Sequence, residues 1–445
     1  MFDLSSEFKR FYRECVVLPE TKQAELRASR KKNIKRFKSG LVEYNKLNQT
    51  DYEISETLTQ GSMAMHTTVQ DINNDYDIDV ALVMDSKDIA DISPLTSPLT
   101  LRRVVGESWN IKSGNMNIPA EVKTGCVRVR YSKGYHLDFS VFRENERQYE
   151  HAGKEWTERD IRAVTEWYNT CNKARGYELG KLVRLSKMFC KSRSQWQMPT
   201  GIIQTVLCQE CFKPDKRLDK SFLDTMIAIQ NRLTNNKQVS IPVDGGRSLI
   251  YRVSDLIRVT NLQNRLSENI CKVQAVLNAE TCTAEQAIKA WGKFFNYSDF
   301  WNVNHLGRSI KESAIGIEFD QTEQFIDELY PIDEQIYPKI TCSINKAGYR
   351  ATYPEERLSC GCPLPIGFKI IFEIHNVFGS YDQVLWKVRN VGSEAERRND
   401  IRGQIQNRGP RIEETTLFTG PHYIECYVIK DGICIGIGHK DVPIC

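Results

Sequence analysis

The 445-residue chain has no run of about 18 apolar residues, which excludes a membrane-spanning helix. Its opening, MFDLSSEFKRFYREC, lacks the basic-then-apolar pattern of a secretory signal. Charge of one sign is not in excess: 61 Lys and Arg meet 57 Asp and Glu, leaving +4. That mild balance does not by itself predict a nucleic-acid binder, and local basic clusters matter more than the sum. Cysteine is plentiful, at 14, but scattered through apolar contexts. Without a secretion signal, free thiols in a reducing cytoplasm are expected. Cys208-Gln209-Glu210-Cys211 lacks the second pair that a zinc site needs, and Cys360-Gly361-Cys362 is tighter still. Both read as structural. With 40% hydrophobic and 27% charged residues the composition is that of a globular protein, and the length predicts two or three domains.

What is present centres on Thr59 to Asp85, TQGSMAMHTTVQDINNDYDIDVALVMD. It reads as a Gly61-Ser62 turn opening a short helix, a polar turn, then a strand that starts acidic and becomes apolar. Residues two apart on a strand share a face. Asp77 and Asp79 therefore project together, while Ile78, Val80 and Leu82 pack on the other side. Two such carboxylates repel unless a cation or proton lies between them. Mg2+ takes oxygen ligands of this kind, with substrate phosphates completing its shell.

A third carboxylate fits. Val127–Tyr131 and His136–Val141 read as a hairpin across Ser132-Lys133-Gly134. Asp138 faces one way and Leu137, Phe139 and Val141 the other. If this strand lies beside the first, three carboxylates converge. The Gly-Ser turn supplies backbone N–H groups suited to a phosphate. Separately, each piece is also compatible with a solvated turn or strand end.

The ordered set Gln60-Gly61-Ser62, Asp75-Tyr76-Asp77-Ile78-Asp79-Val80 and His136-Leu137-Asp138 resembles the nucleotidyltransferase superfamily that shares a fold with DNA polymerase beta. The wider context resembles its bacterial CD-NTase branch (SMODS domain), relatives of animal cyclic GMP–AMP synthase. The family often has a second Gly-Thr soon after Gly-Ser, whereas this chain has His66-Thr67.

Along the chain, residues 3–48 read as helical and carry a basic run, Arg27 to Arg36. That run is either a solvated face or a positive rim for nucleotide phosphates or a regulatory nucleic acid. Pro94 to Pro119 reads as loop and helix, and 155–320 as mostly helical. Within it, Arg184, Lys187 and Lys191 fall at i, i+3 and i+7, on a face opposite the apolar stripe of their helix. The resemblance implies that Lys187 touches the triphosphate of a bound nucleotide. Thr200 is a natural N-cap for the next helix, and the resemblance adds a second role, at the phosphates. From about Pro331 the composition becomes strand-like with Gly and Pro turns, suggesting a small β-sandwich. Trp386 to Ala395, Arg402-Gly403 and Thr415 to His422 resemble the adenylyl/guanylyl cyclase and SMODS C-terminal sensor domain (AGS-C).

The expected fold is α+β: a polymerase-beta-like core with its N-terminal helix over residues 1–160, a helical lobe over 161–325 completing the cleft, and an all-β sandwich over 335–445. The resemblance implies a cytoplasmic, template-independent nucleotidyltransferase that joins ATP, GTP or other NTPs into a cyclic di- or trinucleotide. Asp77, Asp79 and Asp138 are the expected catalytic and metal residues, holding two Mg2+ ions for which Mn2+ substitutes. Gln60, Gly61, Ser62, Lys187 and Thr200 are the expected nucleotide contacts. The resemblance further implies bacterial antiphage (CBASS) signalling through a separate effector protein, with a nucleic acid or nucleotide as regulator. The terminal Val442-Pro-Ile-Cys445 argues against control by C-terminal conjugation, which usually needs a small last residue. The competing expectations are a transferase acting on RNA ends or proteins, and an inactive nucleotide sensor.

Overall fold

Alternating burial along two long strands builds the central sheet, and the chain reaches them through an interrupted helix. The computed structural model describes residues 2–71, 76–85, 97–113, 118–131, 134–145, 148–301, 324, 326–330, 332–345, 354, 358, 362–377, 379–398 and 400–445. Asp75, Pro94, Ser132, Lys133, Pro331, Cys360 and Gly361, singled out above, lie outside them. The expected continuous helix over 3–48 is broken. Helix α1 (Ser5–Phe11) runs into one π-helical turn, Tyr12–Val16, and α2 (Glu20–Asn48) begins only after Pro19. Proline lacks an N–H and drives the residue before it into extended backbone. There Val17 forms a single bridge to Val69.

Strand β1 (Ile54–Gln60) ends in the one-turn helix α3 (Gly61–Ala64) and is followed by β2 (Tyr76–Asp85). Then come α4 (Pro98–Ser113), β3 (Ala120–Val122), β4 (Val127–Tyr131), β5 (Tyr135–Asn145), β6 (Gln148–Ala152) and β7 (Trp156–Glu158). The sheet runs β1-β2-β5-β4-β3, with β6 on β5 and β7 on β6. Strands β2 and β5 are parallel neighbours, and the β4–β5 hairpin forms as expected. Ile78, Val80, Leu82, Leu137, Phe139 and Val141 are buried against Phe37 and Leu41 of α2 and Leu101, Val105 and Trp109 of α4.

A second core belongs to the helices α5 (Ala163–Ala174), α6 (Glu178–Lys191), α7 (Gly201–Glu210), α8 (Leu218–Asn235), α9 (Val253–Leu277) and α10 (Ala284–Phe295). The last opens on a capping box: the Thr283 hydroxyl accepts from the Gln286 N–H, and the Gln286 side chain accepts from the Thr283 N–H. The chain's start joins this core rather than the sheet. Phe8 packs edge-on to Trp291 at 4.7 Å and beside Phe222, Phe295 and Trp301. All of this lies in one compact unit, Met1–Ala314.

The second unit, Ile315–Cys445, is the expected β-sandwich. After a helical turn α11 (Ile326–Leu329) come β8 (Ile332–Ile336), β9 (Lys339–Asn345), β10 (Lys369–His375), β11 (Gln383–Arg389), the turn α12 (Ser393–Arg397), β12 (Arg402–Asn407), β13 (Arg411–Thr415), β14 (Gly420–Lys430) and β15 (Ile433–Ile444). They form a three-stranded sheet, β13-β10-β9, and a five-stranded one, β12-β11-β14-β15-β8. Ile340, Cys342, Ile370 and Phe372 of the first meet Val384, Trp386, Ile424 and Cys426 of the second in its core. The cysteines conform to the structural reading: Cys208 and Cys211 are buried free thiols, and burial pushes Cys208 up to about 12.

Truncating a fully buried aromatic leaves a cavity that its neighbours only partly refill. Phe8→Ala is therefore expected to destabilise the first unit by ~3–5 kcal/mol. Urea unfolding followed by tryptophan fluorescence, to which Trp291 and Trp301 contribute, checks this.

Candidate active site

Strand register assembles the site. On β2, Asp77 and Asp79 point away from the core that buries Ile78 and Val80. On the parallel neighbour β5, Asp138 stands beside Asp79 and His136 beside Asp77. On the other side, antiparallel β1 brings Gln60 opposite Asp79. The turn that follows is fitted to this carboxylate. Gly61 has φ +66, and a Cβ placed on it would lie 2.0 Å from the Asp79 Oδ2. Only glycine tolerates both the left-handed backbone and that approach.

The three carboxylates do not share one environment. Asp77 is exposed and paired with the buried His136. Partial burial would raise its carboxyl, but His136, with Arg128 and Lys191, outweighs this and holds it below the ordinary value. The same contact raises the imidazole of His136. Asp138 is clamped by Arg128, directly opposite it on β4, through two hydrogen bonds of 2.6 and 2.5 Å. Asp79 is left between them. Burial, then the charges of Asp77 and Asp138, push it up to about 7. Among the described residues no three acidic, His or Cys side chains are gathered closely enough to hold a metal. The donor set nevertheless fits a divalent cation: three carboxylates on adjacent strands, one of them poorly ionised because it is buried beside the other two. Arg128 and His136 supply part of that charge from the protein itself.

The expected phosphate contacts separate into two groups. Gly61 and Ser62 sit at the Asp79 carboxylate, with Ser62 Oγ 3.1 Å from Thr68 Oγ1. Gln60 turns elsewhere: its amide donates to the Ile161 carbonyl at 3.1 Å, tying β1 to the entry of the helical lobe. The basic face of α6 is not a wet face. Lys187 is 7% exposed and donates to the Thr67 carbonyl and hydroxyl at 3.1 and 2.7 Å. Burial first, then Arg184 and Lys191, bring its ammonium down to about 7. Arg184 donates to the His66 carbonyl and the Tyr12 hydroxyl, and Lys191 pairs with Asp71 at 2.7 Å. A helical spacing identifies a common face but not what covers it. Here the loop 66–71 covers it. Thr200 occupies the N-cap position of α7, but its exposed hydroxyl makes no capping hydrogen bond. Gly201 beside it packs against Lys187, whose Nζ would lie 3.3 Å from a Cβ there.

A family model described as the nucleotidyltransferase domain of DncV-like cyclic GMP-AMP synthases matches residues 55–142. A second, the adenylyl/guanylyl and SMODS C-terminal sensor domain, matches residues 320–445. The chain carries the domain pair of the bacterial CD-NTases. It is 23% identical over 409 residues to a cyclic GMP-AMP synthase of Escherichia albertii, an alignment covering 85% of this chain and 82% of that one. Its fold is shared by Vibrio cholerae DncV, a cyclic AMP-GMP synthase solved with the linear intermediate 5′ pppA(3′,5′)pG: TM-score 0.55, 13% identity, 66% of this chain and 95% of that one. The E. coli MS115-1 CdnC:HORMA-deltaN complex contains a similar fold, with TM-score 0.51, 16% identity, and 66% and 98% coverage.

The site residues that sequence reading missed are Arg128 and Thr67. Arg128 was visible only as one of two arginines in Val-Arg-Val-Arg-Tyr, and strand alternation does not say which one meets Asp138. Thr67 stood out only as a departure from the family pattern.

Two expectations follow. Gly61→Ala should displace Asp79 and cut turnover by at least ~100-fold, the scale of a misplaced reacting group. A circular dichroism spectrum like that of the parent would show that the fold is kept. The second concerns protons. An acid raised to about 7 burdens the fold once ionised, so metal-free stability should fall as pH climbs from near 4 through 7. Asp79→Asn should remove that loss, raising stability at pH 8 by ~1–3 kcal/mol while leaving pH 4 unchanged. Melting curves at the two pH values check the sign.

Proposed function

We propose that this nucleotidyltransferase joins ribonucleoside triphosphates without a template and closes them into a cyclic di- or trinucleotide. The observation that carries the reading is the parallel β2–β5 register, which sets Asp138 beside Asp79 with Asp77 two residues away on the same face. Asp77, Asp79 and Asp138 would hold two Mg2+ ions, or Mn2+ in their place. Such ions, when bound, neutralise the triphosphate and acidify the attacking ribose hydroxyl. The chain's own groups do the rest. The Gly61-Ser62 turn offers backbone N–H groups beside Asp79 for the departing phosphates. Asp138, once Arg128 swings off it, accepts the proton of the attacking hydroxyl. The new bond forms between that oxygen and the α-phosphorus as the bond to pyrophosphate breaks. No covalent protein intermediate is needed, because positioning and charge neutralisation carry phosphoryl-type transfer. A second transfer in the same pocket, of a linear product like that bound by DncV, gives the ring.

Lys187 and Thr200 belong to this reading as triphosphate contacts on the lobe side. Lys187 must exchange its bonds to Thr67 for phosphate, whose negative charge favours the ammonium form that burial disfavours. ATP and other NTPs are the substrates and a separate effector protein receives the product, in antiphage (CBASS) signalling inside the bacterial cytoplasm. A regulator is part of the reading: a nucleic acid or nucleotide, or a protein like the HORMA partner of CdnC. Among the described residues no helix is long and apolar enough to cross a membrane. The alternative substrate, an RNA end or a protein, needs a broad polymer-binding surface. The basic run disfavours it. Arg30 is buried, and Arg36 turns onto Tyr131 and over Trp109, so the exposed charge is thinner than the sequence suggests.

The test is incubation with all four ribonucleotides and Mg2+ or Mn2+, phosphatase treatment and mass spectrometry. A cyclic di- or trinucleotide is expected from the parent protein, and Asp77→Ala or Asp79→Ala should lose at least ~1,000-fold in rate with an unchanged fold. Turnover surviving in the double variant removes this site.

A further inference from the structure

One cavity lies away from the carboxylates. It lies within the C-terminal unit, between its two sheets, and measures about 230 Å3. Its walls come from β10, β11, β13, β14 and β15, with Ile370, Phe372, Val388, Ile424 and Val442 as the apolar lining. Protein interiors are close-packed, and a cavity of about 150 Å3 already admits benzene. A space this large therefore takes up either several waters or an organic molecule.

The polar wall says which kind of molecule. Two carboxylates, Asp400 and Glu414, line it together with one guanidinium, Arg402. That guanidinium is spent on Glu414 through two hydrogen bonds of 2.6 and 3.0 Å, and Arg408 also holds Glu414. The neighbouring Glu413 is exposed and taken by Lys369 at 2.6 Å. Among the described residues of the wall no cation is left to receive a phosphate. His422 is spent as well: Nδ1 accepts from the Val391 N–H at 3.1 Å, and Nε2 is 3.0 Å from the Phe418 carbonyl. Burial lowers its pKa, so it stays neutral. The Thr416 hydroxyl lies 2.9 Å from both the Pro365 carbonyl and the Phe368 N–H. The Asn390 amide donates to the Asp400 carbonyl, which leaves Asn390 Oδ1 and the Asp400 carboxylate as acceptors. A further sign of a built site is the backbone of Arg402. It holds a left-handed φ of +58, a conformation that costs a non-glycine residue energy and that concentrates at ligand sites.

We infer that this cavity binds a compact, phosphate-free amino heterocycle of nucleobase or nucleoside size. Its ring lies on the apolar lining and its N–H groups donate to Asp400 and Asn390. A phosphate there would meet the Asp400 carboxylate and no free cation, so triphosphate substrates and cyclic products are excluded. This inference goes beyond the catalytic reading and stands without it.

The test uses the full chain with 13C-labelled Ile and Val methyls, titrated separately with adenine, adenosine, AMP and ATP. Shifts at Ile370, Val388, Ile424 and Val442 report this cavity and not the carboxylate site. Adenine or adenosine should saturate these shifts at or below millimolar concentration, while AMP and ATP should leave them unmoved. Asp400→Asn should weaken binding at least tenfold with an unchanged melting temperature. Val388→Trp should abolish it by filling the space. Cavity shifts caused by ATP or AMP overturn the inference. So does the absence of any shift with the two phosphate-free ligands, which would make the cavity a hydrated void.

Discussion

Mutual repulsion of three carboxylates is the constraint from which the rest of the first unit follows. Asp77, Asp79 and Asp138 are brought together by strand pairing, which no side-chain preference opposes strongly enough to prevent. The protein answers the repulsion with its own cations at the two ends: His136 on Asp77 and Arg128 on Asp138. The middle carboxylate receives none and stays near half-protonated at neutral pH. Such a cluster stores unfavourable electrostatic energy in the ground state, as functional sites commonly do. A divalent cation held there would relieve it.

Most of this site was legible because strands carry a two-residue code. The alternation in Asp77-Ile78-Asp79-Val80 and in His136-Leu137-Asp138-Phe139 fixes which face each side chain takes, whatever the neighbouring strand. The parallel pairing was legible only through the family resemblance, since the crossover that produces it spans about fifty residues with no local mark. Helices were found more easily than their surroundings. The spacing of Arg184, Lys187 and Lys191 is correct, yet the partners they meet, and the burial of Lys187, depend on a loop more than a hundred residues earlier. In the C-terminal unit the apolar strands β9, β10, β11, β14 and β15 stood out. Strands β12 and β13, with sequences RGQIQN and RIEET, did not, because polar edge strands look like loops.

The π turn at Tyr12–Val16 and the restart at Pro19 divide the chain's opening between two cores. Phe8 and Phe11 belong to the aromatic cluster of the helical lobe, and Phe37 and Leu41 to the sheet. One segment thereby contributes to both halves of the first unit, and the Val17–Val69 bridge ties the crossing point to the loop beyond the Gly-Ser turn.

That loop, 66–71, has a mechanical consequence. At one end it continues directly from Gly61-Ser62, seated on Asp79. Along its length Arg184, Lys187 and Lys191 fasten it to α6 at three points. It therefore works as a tie-rod between the lobe and the floor of the cleft. A tilt of the lobe would be carried by the tie-rod into the Gly61-Ser62 turn. Opening of the mouth and loosening of that turn would thus be coupled in one strut.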